Sequence, residues 1–223
     1  MLKDKYTYLK LKDNKQYEMY YDFLVGENTK YNLTTIVKKE EVYIKHFLDS
    51  VKLLEFVDIK SNSIIYDVGS GAGFPLIPLL IERNDIKGVG IESNNKKCEF
   101  LKLLSNKLGL NNVIIKSDRV ENLINDENAT YVCARAVAKL NILLELLVGI
   151  LKIGGRMFLY KGANYKEELA LAKNAIKLLG LAHIDTFEYE LENDFGKRVI
   201  LVFEKRINSS YPRKYTQIKT KPL

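Results

Sequence analysis

The stretch Asp67-Val68-Gly69-Ser70-Gly71-Ala72-Gly73-Phe74-Pro75 decides the fold. It leaves a short β-branched run at 64–68 and enters a helical pattern. In that setting glycines bring backbone N–H groups close to a ligand, because no Cβ intervenes. Pro75 suits a first helical turn, where its missing N–H costs nothing. A dinucleotide fingerprint needs Gly-x-Gly-x-x-Gly, but Phe74 follows Gly73 and the spacing is Gly-x-Gly-x-Gly. A pyrophosphate cradle and a nicotinamide-dependent dehydrogenase are therefore disfavoured. No Lys-Ser/Thr pair follows the glycines, which argues against an NTPase.

Working outward, β-branched runs recur at 88–91, 113–116, 130–134 and 156–160, separated by helical stretches. Ser93 or Asn94 can cap a helix that Gly109 ends, and Asn164 with Glu167 resembles a capping box before a helix ended by Gly180. Runs at 181–190 and 197–205 read as a closing hairpin. Five βα units and a hairpin predict an α/β protein with a doubly wound, mostly parallel, Rossmann-like sheet of seven strands. The first sixty residues read as helical, with Tyr17, Tyr21 and Leu24 on one face and Tyr43, Phe47, Val51 and Leu54 on another. The expected divisions are a helical extension at 1–60, a ligand-binding domain at 61–206 and a basic tail at 207–223.

Ligands of such sheets bind beyond the carboxyl ends of the strands, where strand order reverses. Glu92 ends the second strand nineteen residues past Gly73, where its carboxylate can accept both hydroxyls of a ribose. The competing reading is an exposed cap of the next helix. Asp67 can orient the loop or a ligand amine, or be a buried acid held by loop amides. Acid–x–Gly–x–Gly–x–Gly with a downstream acid is the pattern of class I S-adenosylmethionine-dependent methyltransferases.

Composition narrows the field further. The 223 residues carry 35 Lys+Arg against 28 Asp+Glu, a net charge of +7. Much of the excess lies in Lys205, Arg206, Arg213, Lys214, Lys219 and Lys221, a segment without acids that suits either a polyanion or plain solvent. Two cysteines are too few for a disulfide framework or a thiolate zinc site. His46 and Asp49 stand one turn apart without an evident third ligand, so a structural pair is favoured over a metal. The apolar run at 142–151 is interrupted by Glu145 and is far short of a bilayer span. The N-terminus shows no apolar signal core. A soluble, cytoplasmic, monomeric protein in a reducing compartment is expected.

The chain resembles the ribosomal RNA small subunit methyltransferase G family, also called glucose-inhibited division protein B. The resemblance runs nearly end to end, through Tyr31-Asn32-Leu33-Thr34, His46-Phe47-Leu48-Asp49-Ser50 and the Gly-Phe-Pro loop. It continues through Glu92, Arg119-Val120-Glu121, Arg135-Ala136, Gly154-Gly155-Arg156, Lys161-Gly162, Tyr211-Pro212-Arg213-Lys214 and Lys221-Pro222. It implies methyl transfer from S-adenosyl-L-methionine to N7 of a guanine in the 530 loop of 16S ribosomal RNA, free or in the small subunit. It also implies cofactor contacts at Gly69, Phe74, Val120, Glu121 and Arg135. Leu76 departs from the small residue common after Gly-Phe-Pro, and the segment 215–220 matches loosely.

The chemistry agrees with the residues. N7 carries an in-plane lone pair, so its methylation requires no proton removed first, and orientation is the main task. No dedicated general base is expected. Gly71, Gly73, Asp67 and Asp118 join the candidate cofactor positions, and Cys133 reads as a core thiol. Arg135 can hold the cofactor carboxylate or, through its planar fork, guanine acceptors. Lys161, Arg198, Arg213 and Lys214 are candidate phosphate contacts, with surface charge as the plainer reading of Lys161 and Arg198. Phe74 can lie near the cofactor, flank the target base or take part in ordinary helix–sheet packing. The alternatives are a class I methyltransferase acting on another RNA, a protein or a small molecule, and a non-catalytic RNA-binding module.

Overall fold

The computed structural model describes residues 5–123 and 129–223. The chain opens with α1 (Tyr8–Lys12), α2 (Lys15–Tyr31) and a broken run made of α3 (Lys39–Val42), a π-helical turn (Tyr43–Leu48), α4 (Asp49–Val51) and α5 (Leu53–Phe56). There follow β1 (Ile64–Val68), α6 (Leu76–Glu82), β2 (Lys87–Glu92), α7 (Asn95–Lys107), β3 (Val113–Ser117) and a single 3-10 turn (Val120–Asn122). The second half holds β4 (Ala129–Arg135), α8 (Leu140–Val148), β5 (Leu151–Lys161), α9 (Tyr165–Leu171), α10 (Lys173–Leu178), β6 (Leu181–Glu190), β7 (Lys197–Lys205) and α11 (Tyr215–Thr220). The seven strands form one sheet in the order β3-β2-β1-β4-β5-β7-β6. Among the described residues, β7 alone runs antiparallel to its neighbours on both sides. Strand order reverses between β1 and β4, and the glycine loop leaves β1 at that point.

Local chemistry accounts for the main boundaries. The Asn94 side chain caps α7 by accepting from the Lys96 and Lys97 N–H groups at 3.0 and 3.2 Å. Gly109 then leaves the helix at φ +67°. Asn164 makes no such side-chain bond, so the expected capping box is absent there. Glu168 is the acid in use instead, accepting from the Leu140 N–H and the Lys161 ammonium, both at 2.8 Å. Leu76 is fully buried, and Gly88 and Gly90 on β2 leave the space it fills.

The helical extension is not separate from the sheet. Tyr17, Tyr20, Phe47 and Phe100 share one apolar cluster with Phe74 and Ile77 of the glycine-loop region. Tyr20 rather than Tyr21 is the fully buried partner of Tyr17 and Leu24. The 3.6-residue period accommodates either, and contact with the loop selects Tyr20.

The tail also departs from expectation. Ile218 is fully buried in the cluster around α8, and the Asn141 amide donates to the Leu223 carbonyl at 3.2 Å. Arg213 forks onto Glu145, donating to both carboxylate oxygens at 2.7 Å, and Glu145 is fully buried. Lys205 is buried too, donating to the Val148 and Leu151 carbonyls at 3.0 and 2.8 Å. A buried carboxylate needs a counter-charge, so the acid that interrupts the apolar run at 142–151 fixes the tail onto α8.

Candidate functional site

The glycine loop turns back on β2. The Gly69 and Ser70 N–H groups donate to the Ile91 carbonyl, at 2.8 and 3.3 Å, and Gly73 and Phe74 donate to the Ser70 carbonyl, at 2.6 and 3.2 Å. Gly71 donates to the Glu92 carboxylate at 3.0 Å. These five N–H groups are thus consumed inside the protein, which corrects the expectation that the loop presents amides to a ligand. The glycines are needed for shape instead. Gly69 has φ +74°, and a Cβ there would sit 2.8 Å from Val137 Cγ2. Gly73 has φ +100°, and a Cβ there would meet Tyr20 Oη at 2.6 Å.

Glu92 is buried, and it is not the exposed cap of the next helix. Its other oxygen accepts from the Asn94 N–H at 2.8 Å. Each carboxylate oxygen therefore accepts one hydrogen bond and has room for another. Beside it lies a cavity of about 140 Å³ whose walls include Gly69, Glu92, Asp118, Val120, Glu121 and Tyr215. Asp118 accepts from the Arg119 N–H and the Asn122 amide, both at 2.7 Å, and these bonds hold its pKa down. Val120 and Glu121 sit on the 3-10 turn rather than on a helix, and the continuation expected of that helix lies outside the described residues.

A second cavity, of about 470 Å³, opens past the ends of β4 and β5 between Arg135, Tyr160, Lys161, Glu168, Tyr189 and Arg198. Val137 lines both cavities, so they adjoin on either side of one residue. Arg135 is held from behind by the π-helical turn, donating to the Lys45 carbonyl and, at 3.5 Å, to that of His46. Its Nε lies 3.3 Å from the Asp49 carboxylate, which also accepts from Tyr189 Oη at 2.7 Å. His46 and Asp49, expected to pair with each other, both face Arg135 instead. Burial, reinforced by the Arg135 charge, lowers the His46 pKa to about 3, so the ring is neutral.

Phe74 does not line either cavity. It stacks between His46, with centroids 4.5 Å apart, and Tyr20, at 5.4 Å, while the Arg135 guanidinium lies 5.9 Å from its ring. Its place is as a platform joining extension, loop and arginine. Asp67 is fully buried behind the loop, and its Oδ2 has no hydrogen-bond partner. Cys133 lies against it with Sγ 3.6 Å from Oδ1, and burial pushes that thiol's pKa up, as befits a core thiol. Among the described residues no group of three or more His, Cys, Asp or Glu could hold a metal ion. No helix among them is long and apolar enough to cross a membrane.

The candidate phosphate contacts divide. The Lys161 ammonium is committed to the Ala138 carbonyl and Glu168, at 2.9 and 2.8 Å, and Arg213 is committed to Glu145. Neither presents its charge to solvent as expected, because each neutralises a carboxylate inside the fold. Lys214 is exposed, and Arg198 stands at the mouth of the larger cavity. Sequence reasoning missed Tyr215, Asp49, Tyr160 and Tyr189 as cavity walls. For Tyr215 the available signal was Glu145, a lone acid in an apolar helix that requires a cation from elsewhere in the chain.

A seven-stranded sheet in this order, with a glycine turn and an acid ending the second strand, defines the class I methyltransferase fold. Among solved structures, a TYW2 protein of M. jannaschii in complex with AdoMet superposes with a TM-score of 0.57, at 21% identity, covering 72% of this chain and 76% of that one. The YcgJ protein of Bacillus subtilis superposes with a TM-score of 0.58, at 13% identity over 73% of this chain and 100% of that one. Residues 13–193 match the family described as GidB, rRNA small subunit methyltransferase G. A ribosomal RNA small subunit methyltransferase G of Mycoplasma capricolum is 45% identical over 203 residues, 90% of this chain and 87% of its own. That of Staphylococcus saprophyticus is 42% identical over 207 residues, 92% and 86% of the two chains. The chain belongs to the rRNA small subunit methyltransferase G family.

S-adenosyl-L-methionine, the cofactor of this class, fits the residues present. Glu92 keeps acceptor capacity for ribose hydroxyls in the smaller cavity. The loop spends five of its N–H groups internally, which suits a nucleoside bearing no phosphate.

The buried acid gives a pH signature. Burial raises the Asp67 pKa from 3.8 to about 7, so the folded protein binds this proton more tightly than the unfolded chain. Its contribution to stability is complete below about pH 4 and is lost as pH rises towards 7. His46 acts in the opposite sense, because its lowered pKa costs stability as pH falls below about 6.5. In ligand-free protein, Asp67→Asn is therefore expected to gain stability relative to wild type between pH 5 and pH 8. Thermal melts across that range check it, and a difference that stays flat with pH would contradict the assignment.

Proposed function

We propose that the chain transfers a methyl group from S-adenosyl-L-methionine to N7 of a guanine in the 530 loop of 16S ribosomal RNA, free or within the small subunit. Family membership supports this reading, and the adjoining pair of cavities carries it. The smaller suits the nucleoside end of the cofactor, held through Glu92, and the larger suits its amino-acid end together with an unstacked base. Gly69, Asp118, Val120 and Glu121 would shape the nucleoside end, while Arg135 would face the carboxylate where the two cavities approach each other. When bound, the cofactor supplies an already activated sulfonium methyl.

The residues of the larger cavity do the orienting. Its carboxylates are paired, Asp49 with Arg135 and Glu168 with Lys161, so they hold cations in place rather than standing ready to take a proton. N7 methylation asks for no proton abstraction. The base is made cationic, and the Tyr160 and Tyr189 rings lining the cavity suit that charge. The same reading places the protein in the cytoplasm, acting as a monomer.

Phosphate contact falls to exposed Lys139 at the larger cavity and to exposed Lys166 and Lys197 of the cavity that adjoins it at Gly162, together with Arg198, which lines both. Lys139→Ala combined with Arg198→Ala is expected to weaken RNA binding several-fold and to flatten its salt dependence by about one to two contacts, with cofactor affinity unchanged. Filter binding at several salt concentrations measures this, and an unaltered slope would move the RNA path elsewhere. The reading as a whole is tested by mapping N7-methylguanine through aniline cleavage of 16S RNA from cells with and without this gene. Loss of one 530-loop signal on deletion, restored by the gene, is expected. An unchanged pattern would defeat the substrate.

A further inference from the structure

The cavity beside Glu92 has a wall that comes from the far end of the chain. Tyr215 lines it together with Gly69, Asp118 and Val120, although it lies nearly a hundred residues beyond the 3-10 turn that lines the same cavity. Three independent anchors hold that wall in place. Arg213, two residues before Tyr215, forks onto the fully buried Glu145 of α8 and also donates its backbone N–H to it at 3.1 Å. Ile218, three residues after Tyr215, is fully buried against α8. The Arg119 guanidinium lies 5.4 Å from the Tyr215 ring and 3.4 Å from Glu121, so the tail is joined to the cavity's other rim as well.

From this geometry we infer that Tyr215 is a cofactor-binding residue, its ring forming an aromatic wall for the purine, with the Arg213–Glu145 pair positioning it. The inference rests on the proposed cofactor reading and adds a contact that no glycine-loop residue can supply. A cavity walled by Val120 and Leu146 but lacking an aromatic face would bind a purine by shape alone. A tyrosine adds a stacking surface, which tolerates any base and is strengthened by the neighbouring guanidinium. It also assigns work to the basic tail that needs no RNA. Arg213 acts as a rivet, and the residue it holds faces the small molecule.

Calorimetry of the full chain with S-adenosylhomocysteine and with 5′-methylthioadenosine tests this. The second ligand keeps the nucleoside and lacks the amino-acid end. Tyr215→Leu, which keeps apolar bulk but removes the π face, is expected to weaken both ligands by the same factor, roughly tenfold, while Tyr215→Phe stays within about twofold of wild type. Melting temperatures near wild type for ligand-free Tyr215→Leu show that the loss is not unfolding. Wild-type affinity for both ligands in Tyr215→Leu would overturn the inference, as would a loss confined to S-adenosylhomocysteine. If wild type itself binds neither ligand, the cofactor reading fails and this inference with it.

Discussion

Arg135→Ala is expected to lower the rate of methyl transfer at least about a hundredfold and to destabilise the protein at the same time. The sequence alone suggests a folded but inactive variant, because Arg135 reads there as a rim residue reaching for a ligand. The structure shows it also serving the fold. Its Nε offsets Asp49, which is only 2% exposed, and its Nη1 and Nη2 each donate to a carbonyl of the π-helical turn. Removing the cation leaves a carboxylate in the interior with Tyr189 as its remaining neutral donor, a loss of about 3 kcal/mol for a buried pair broken on one side. The rate falls because a group displaced by about 1 Å at the reacting end can cost a hundredfold.

Arg135→Lys separates the two effects. Lysine keeps a positive charge beside Asp49 but cannot reproduce the fork that reaches two carbonyls at once. Urea unfolding should place it close to wild type, while single-turnover transfer stays far below. Full activity in Arg135→Lys would show that the charge suffices and that the fork has no part in orientation.

The second large effect is far from the cavities in sequence. Arg213→Met is expected to cost about 3–5 kcal/mol, because the Glu145 carboxylate is left fully buried without its partner. The double variant Glu145→Met, Arg213→Met should recover most of that loss, since apolar residues of similar volume can replace a buried pair at little cost. Urea denaturation of the two proteins measures the difference. If Arg213→Met unfolds like wild type, the tail is not fixed in the way described, and its helix is a solvated appendage.

Much of the sheet could be read from the residues, because short β-branched runs bounded by glycine or asparagine have few other uses. β1, β6 and β7 begin and end at the expected residues. β5 starts at Leu151, five residues ahead of the expected start, because Gly154 at φ +74° lets the strand pass through an irregularity opposite β4 instead of ending. The line between extension and domain was less legible. Periodicity shows which residues are apolar, but contact across the chain decides that Tyr20 packs on the loop and Phe74 on His46.

The site was legible in part, for the same reason. Gly69, Glu92, Asp118, Val120 and Glu121 do meet around one cavity, since a strand end and the turn after it are fixed by local sequence. Lys161 and Arg213 read as candidate phosphate contacts because their partners, Glu168 and Glu145, can be recognised only once the fold brings them together. The glycine loop looked like an amide cradle for want of knowing that β2 and Glu92 already accept its N–H groups.

The most direct test is a crystal structure of the full chain grown with S-adenosylhomocysteine. The ribose hydroxyls are expected on the Glu92 carboxylate, the purine between Val120 and Tyr215, and the amino-acid end passing Gly69 and Val137 towards Arg135. Density for the ligand at any other place, or a nucleoside whose ribose leaves Glu92 untouched, would contradict this placement.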